Sequence, residues 1–179
     1  MQRIDTSLPL QPAAAEAMAK LLPAGMKPPE LFIAVARNAG LFAWMVDTGL
    51  IGPTGLLDRR ALPKALREAV ILRTCVATRN EYEFNLHVQT ISARMGLSEA
   101  QIADVRRESP DPASWSAAEL AALRLVDALV KLDVSDELWT QSREVFDEAT
   151  LIELTQLTGM YVGVAMQVAL LQPRFDSYR

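Results

Sequence analysis

Between its prolines and glycines this chain offers little except helix. Pro23-Ala24-Gly25, Pro28-Pro29, Gly52-Pro53, Pro63, Gly96, Pro110, Pro112 and Pro173 cut it into segments rich in Ala, Leu, Glu, Arg and Met. Those residues lose least on entering a helix. No run of alternating β-branched residues competes with them. Ser98 and Ser116 stand three residues before Gln101 and Glu119, the spacing of a capping box that satisfies the free N–H groups of a helix start. The pattern predicts helices over about 12–21, 28–40, 41–52, 63–78, 81–95 (closed by Gly96), a short stretch after Ser98, 116–132, 135–145 and 147–171. Loops are expected over 52–62, including Thr54-Gly55 and Asp58, and over 108–114. The fold class that follows is all-α, a multi-helix bundle of about nine helices.

The 179 residues point to one domain over 1–179. A chain of that size buries roughly 70% of its unfolded surface and needs no disulfide or structural metal. Hydrophobic residues make up 50% and charged residues 22%, a balance that argues against disorder. A net charge of −4 gives no basic footprint for nucleic acid. The single cysteine, Cys75, cannot form an internal disulfide, so nothing signals an oxidising compartment. Met1-Gln2-Arg3-Ile4-Asp5 lacks the pattern of a secretory leader. No run of about 18 apolar residues marks a membrane span; Gly163 and Gln167 interrupt the longest apolar tract, 160–171. A cytoplasmic protein with no nucleic-acid or membrane partner is expected. The last helix is apolar on more than one side, through Leu154, Leu157, Met160, Tyr161, Val164 and Leu171, and is expected to be buried in the domain or in a subunit interface.

The densest polar cluster in an apolar setting lies in residues 67–73 and 80–87. Asn80, Glu83 and His87, the one histidine, are spaced i, i+3, i+7, so Glu83 and His87 stack on one helix face. A carboxylate beside an imidazole raises its pKa and fixes its tautomer, as proton-transfer chemistry requires. The same spacing also describes a surface i,i+4 pair worth only tenths of a kcal/mol. Glu68 either points to solvent beside Arg67 or crosses a hairpin to His87, and periodicity does not decide. Cys75 lies two turns from Glu68, about 10 Å, and a buried lone cysteine is usually an inert small hydrophobe. One histidine without cysteine partners falls short of a structural zinc site. Neither a phosphate loop nor a dinucleotide fingerprint is present, so no metal and no cofactor is expected.

The stretch Leu66-Arg67-Glu68-Ala69-Val70-Ile71-Leu72-Arg73, then Asn80-Glu81-Tyr82-Glu83-Phe84-Asn85-Leu86-His87, then Ala93-Arg94-Met95-Gly96-Leu97-Ser98, resembles the core of carboxymuconolactone decarboxylase-like proteins. That superfamily includes alkylhydroperoxidase D-type enzymes. Pro29-Glu30-Leu31-Phe32 and Trp115-Ser116-Ala117-Ala118-Glu119 look like the flanks of its longer, YEW-type members, and the family core would cover about 60–107. In the peroxidase branch a glutamate precedes a Cys-x-x-Cys pair and a histidine. Glu68 and His87 match the outer two, but the cysteine positions fall on Asn80 and Glu83. A thiol peroxidase needs a nucleophilic thiolate and a resolving thiol.

The decarboxylase branch needs neither cysteine. It implies cofactor-independent acid–base chemistry on a small carboxylated or oxidised metabolite. His87 would move the proton, with Glu68 or Glu83 orienting it. Arg73 or Arg67 would hold a substrate carboxylate, with Tyr82 and Asn80 as further substrate contacts. On that reading removal of His87 costs turnover and not the fold. The alternatives are a peroxidase or peroxiredoxin-type oxidoreductase and a non-catalytic oligomeric binding protein of the same fold. The resemblance also implies a homo-oligomer, a dimer, trimer or hexamer.

Overall fold

The computed structural model describes residues 3–52, 55 and 61–178. Among them there are ten helices and no strand: α1 (Pro12–Leu21), α2 (Glu30–Val35), α3 (Ala39–Asp47), α4 (Lys64–Ala77), α5 (Glu81–Thr90), α6 (Ser92–Met95), α7 (Glu99–Asp104), α8 (Ala117–Lys131), α9 (Asp136–Val145) and α10 (Glu148–Leu171). The all-helical expectation holds. The expected loop residues Thr54 and Asp58 lie outside the described residues. The tenth helix arises because the single helix expected over 81–95 is broken at Ile91, whose backbone (φ −127°, ψ −50°) leaves the helical region. The third helix stops earlier than expected, at Asp47, where the Thr48 N–H bonds back to Trp44 O and Gly49 takes a left-handed φ of +72°.

The helix starts follow the sequence chemistry. Ser98 and Ser116 form complete capping boxes with Gln101 and Glu119, and Ser135 accepts from the Leu138 N–H. Each such cap is worth about 1 kcal/mol.

The chain divides into two compact units. In the first, residues 1–59 and 166–177, α1 packs against α3, with Ala14, Ala17, Met18, Leu31, Ala34 and Phe42 buried. In the second, residues 60–165 with 178–179, α4 packs against α8, α5 and α6, and α8 against α9. Ten consecutive residues of α4, Leu66 to Cys75, are buried, so neighbours surround this helix on every face. The three-residue link after α4, Thr78 to Asn80, sets the hairpin with α5. Asn80 N–H bonds to Cys75 O (2.7 Å) and Arg79 N–H to Val76 O (3.0 Å), closing the helix with Arg79 in the left-handed region (φ +56°).

The α10 helix is long and apolar enough, by length and composition, to cross a membrane. Its first half belongs to the second unit's core, through Leu151, Leu154, Leu157, Thr158 and Tyr161. Burial of the last helix thus holds as far as Tyr161. None of residues 162–171 is buried, although Gln167 is the one polar side chain among them.

Candidate active site

The hairpin brings Glu68 to His87. Their chain positions differ by 19 residues, yet His87 Nδ1 lies 3.0 Å from Glu68 Oε1 and 3.2 Å from Oε2. Both side chains are buried, Glu68 completely. Ser92, placed by the break at Ile91, donates its hydroxyl to Glu68 Oε1 at 2.6 Å. On the far side of the ring, Glu83 Oε1 stands 3.4 Å from His87 Nε2, a longer contact whose hydrogen bond and charge both favour the protonated ring. The imidazole is therefore flanked by a carboxylate at each nitrogen.

The electrostatics follow from this geometry. Burial strips the imidazolium of water and pulls the His87 pKa down. The charge and hydrogen bond of Glu68, followed by those of Glu83, outweigh it, and the pKa is pushed up from 6.5 to about 10. Burial likewise pushes the Glu68 carboxyl up. The His87 charge and hydrogen bond, the Ser92 hydroxyl and the Arg67 charge overcome that and hold it below its ordinary value. Both shifts point to a carboxylate–imidazolium pair at neutral pH.

A fourth helix enters the site. Tyr161, from the middle of α10, puts its hydroxyl 3.3 Å from His87 Nε2, and its ring meets the imidazole edge-on (centroids 5.5 Å apart, 80° between planes). Burial, then the charges of Glu83, Glu68 and Cys75, raise the phenol pKa well above its usual 10, so it remains protonated. Neither Tyr161 nor Ser92 was among the candidates from sequence. The available signal for Tyr161 was a phenol in an otherwise apolar tract, since a buried tyrosine hydroxyl almost always finds a partner.

The remaining candidates do other work. Arg73 is buried, and all five of its N–H donors are engaged. Nε and Nη2 clasp Asp127 Oδ1 and Oδ2 at 2.7 and 2.6 Å. Nη1 donates to the carbonyls of Val105 and Arg107, and Nη2 also to that of Glu108. A guanidinium has five donors, so none remains for a substrate carboxylate. The expectation for Arg73 gives way to a clamp joining α4, α8 and the segment after α7. Arg67 is buried, with Nη2 against Met95 Sδ. Asn80 caps α5, its Oδ1 accepting from the Glu83 N–H at 3.2 Å. Tyr82 is buried on α5. Cys75 is buried, and burial, then the charges of Glu83, Glu68 and Glu81, push its thiol well above the usual range. It is held as an un-ionised thiol, the unreactive form.

Two carboxylates on opposite nitrogens of one ring leave no imidazole lone pair for a metal, and among the described residues no group of three or more His, Cys, Asp and Glu side chains is arranged to hold one. What the arrangement can do is hold a proton on Nε2 and pass it to a neighbour.

The carboxymuconolactone decarboxylase family model matches residues 53–128, a span that includes Glu68, Glu83, His87 and Ser92 but not Tyr161. No curated protein matches the chain. A solved structure of the debrominase Bmp8, in its apo form, aligns with a TM-score of 0.66 over 94% of this chain and 91% of its own, at 16% identity. At that identity the likeness is one of fold. The segment that builds the Glu68–His87 pair is the part of the chain that matches the carboxymuconolactone decarboxylase family model.

Proposed function

We propose that the protein is a cofactor-independent acid–base enzyme, of decarboxylase or lyase type, acting on a small carboxylated or oxidised metabolite in the cytoplasm. The observation that carries this reading is the buried imidazole held between two carboxylates. With its pKa near 10, His87 starts the cycle as the proton donor. Glu68 and Ser92 fix the ring through Nδ1, which aims the Nε2 proton at Glu83 and Tyr161. Proton transfer by a positioned side chain contributes about 10²–10⁴-fold to rate. The test is release of CO₂ from a panel of carboxylated lactones and β-keto acids by metal-free protein. Turnover that depends on an added metal or redox cofactor, or none across the panel, defeats the reading.

The burial of Cys75 counts against a thiol peroxidase. Cys75→Ser is expected to leave acid–base turnover within about twofold, and the wild type should show no thiol-dependent peroxide reduction, because a protonated thiol is a poor nucleophile. Robust peroxide reduction that disappears in Cys75→Ser would reverse the ranking.

The same proposal includes a homo-oligomer. Residues 162–171 are apolar apart from Gln167 and unburied within the chain; Met166 and Leu170 are 68% and 66% exposed. A strongly apolar surface of this kind marks an interaction site. Light scattering should return a multiple of 19.7 kDa, and a stable monomer at micromolar concentration rules the interface out.

A further inference from the structure

Two polar groups meet at His87 Nε2: the Tyr161 hydroxyl and Glu83 Oε1. Counting protons assigns their roles. An imidazolium has an N–H at each nitrogen. The Nδ1–H goes to Glu68, and the Nε2–H is shared between Glu83 Oε1 and Tyr161 Oη. Tyr161 therefore accepts from the ring, and its own O–H proton has no acceptor among the described residues. Glu83 Oε2 is buried and likewise has no hydrogen-bond partner among them. One turn before Tyr161 on α10, the Thr158 hydroxyl is buried and unsatisfied. One turn before Glu83, at the start of α5, the Asn80 amide nitrogen is too. Buried polar side-chain atoms are nearly always partnered. Arg37 Nε and Ser142 Oγ are exceptions elsewhere in the fold, but three of them, Asn80 Nδ2, Glu83 Oε2 and Thr158 Oγ1, lie on the two helix segments that meet at one imidazolium.

The pairing has a chemical sense. A phenol O–H polarised by an imidazolium is a donor suited to a developing oxyanion, and a carboxylate oxygen with no donor of its own is a proton acceptor. We propose that Tyr161 is a catalytic residue, its hydroxyl donating to the oxygen of a small enolisable carbonyl compound while Glu83 Oε2 takes a proton from the adjacent carbon. The proposal rests on the acid–base reading above and names its base, its oxyanion donor and its substrate class. In the step, the C–H bond breaks and its electron pair becomes the C=C bond. The carbonyl π pair moves to oxygen, and the proton resides on Glu83. One negative charge passes from Glu83 to the enolate oxygen, and the His87 charge stands beside both positions. Return of the proton to the same or another carbon completes the cycle, without oxidant or reductant.

The test uses 4-nitrophenol, whose acidic O–H stands in for the C–H and whose anion mimics an enolate and absorbs at longer wavelength. It is added to the wild-type protein at a pH where the free probe is mostly protonated. The expected result is a bound anion band. Tyr161→Phe should weaken binding by at least about tenfold, and Glu83→Gln should bind the probe without the band. Absence of the band in the wild type, or equal binding by folded Tyr161→Phe, overturns the proposal. If Tyr161→Phe does not fold, Glu83→Gln decides, since a band that persists there overturns the assignment and one that vanishes supports it. The outcomes separate this proposal from the broader reading. A band that responds to these variants, without turnover of any carboxylated compound, supports the donor–acceptor pair and defeats the decarboxylase reading. Turnover with no band defeats the pair alone.

Discussion

His87→Ala is expected to lower turnover by at least about 100-fold, the scale on which a positioned general acid contributes. The fold should weaken as well, against the expectation from sequence that it would not. Without the imidazole, Glu68 is a fully buried carboxylate with Ser92 as its remaining hydrogen-bond partner. Breaking a buried pair by removing one member costs about 3–5 kcal/mol. The sign of the pH effect follows. Burial then raises the Glu68 pKa unopposed by His87, so the variant gains stability as the pH falls and the carboxyl takes up a proton. The double variant Glu68→Gln/His87→Ala removes both charges. It should recover most of the melting temperature and none of the turnover. Measuring kcat and Tm for the wild type and both variants separates the two roles. Turnover that returns together with Tm would make His87 a core support and nothing more.

Replacing only the carboxylate has a different signature. In Glu68→Gln the His87 pKa is expected to fall from about 10 to its ordinary 6.5 or below, because burial then acts against Glu83 alone. As the chain's one histidine, its ring resonances in a pH titration can be read without assignment. Glu83→Gln should lower the same pKa by less, since the influence of Glu83 ranks behind that of Glu68. Stability carries the same information. With the folded pKa above the unfolded one, the wild-type contribution of His87 is full below pH 6.5 and is lost as the pH rises through about 10, at about 1.4 kcal/mol per pH unit. Glu68, whose folded pKa is lowered, contributes above its ordinary 4.5 and loses that as the pH falls through its folded value. Both slopes should vanish in Glu68→Gln. At neutral pH the variant should lose about 3 kcal/mol, the low end for a broken buried pair, because the ring can shed its proton. An unmoved His87 pKa would refute the pairing.

These expectations draw unequally on the sequence. Helix ends were legible where they depend on local chemistry, as at Ser98, Ser116 and Gly96, whose side chains or conformational freedom act within one turn. Glu83 and His87 share a face by spacing alone. The partnership of Glu68 was not decidable, because a helix buried on all sides shows no apolar stripe from which to infer an outward direction. Ser92 reads as one more residue of a continuous helix until the break at Ile91 turns it toward Glu68. Tyr161 reads as core, and its partner lies 74 positions away. Arg73 was misjudged because an arginine's availability depends on how many of its five donors the fold has already used, a sum that includes carbonyls from a loop more than 30 residues on.

The complete enclosure of α4 also bears on how this protein can vary. A helix such as α8, with Ala122, Leu123, Leu125 and Val126 inside and Arg124 outside, absorbs substitutions on its wet side, so its tolerance should rise and fall with the 3.6-residue turn. From Leu66 to Cys75 there is no wet side. Every replacement there changes a packed volume or strands a polar group, and the profile of tolerated residues should be a flat floor ten positions wide. Lineages that change what this site acts on would then leave α4 almost untouched and write their differences into the helices around it.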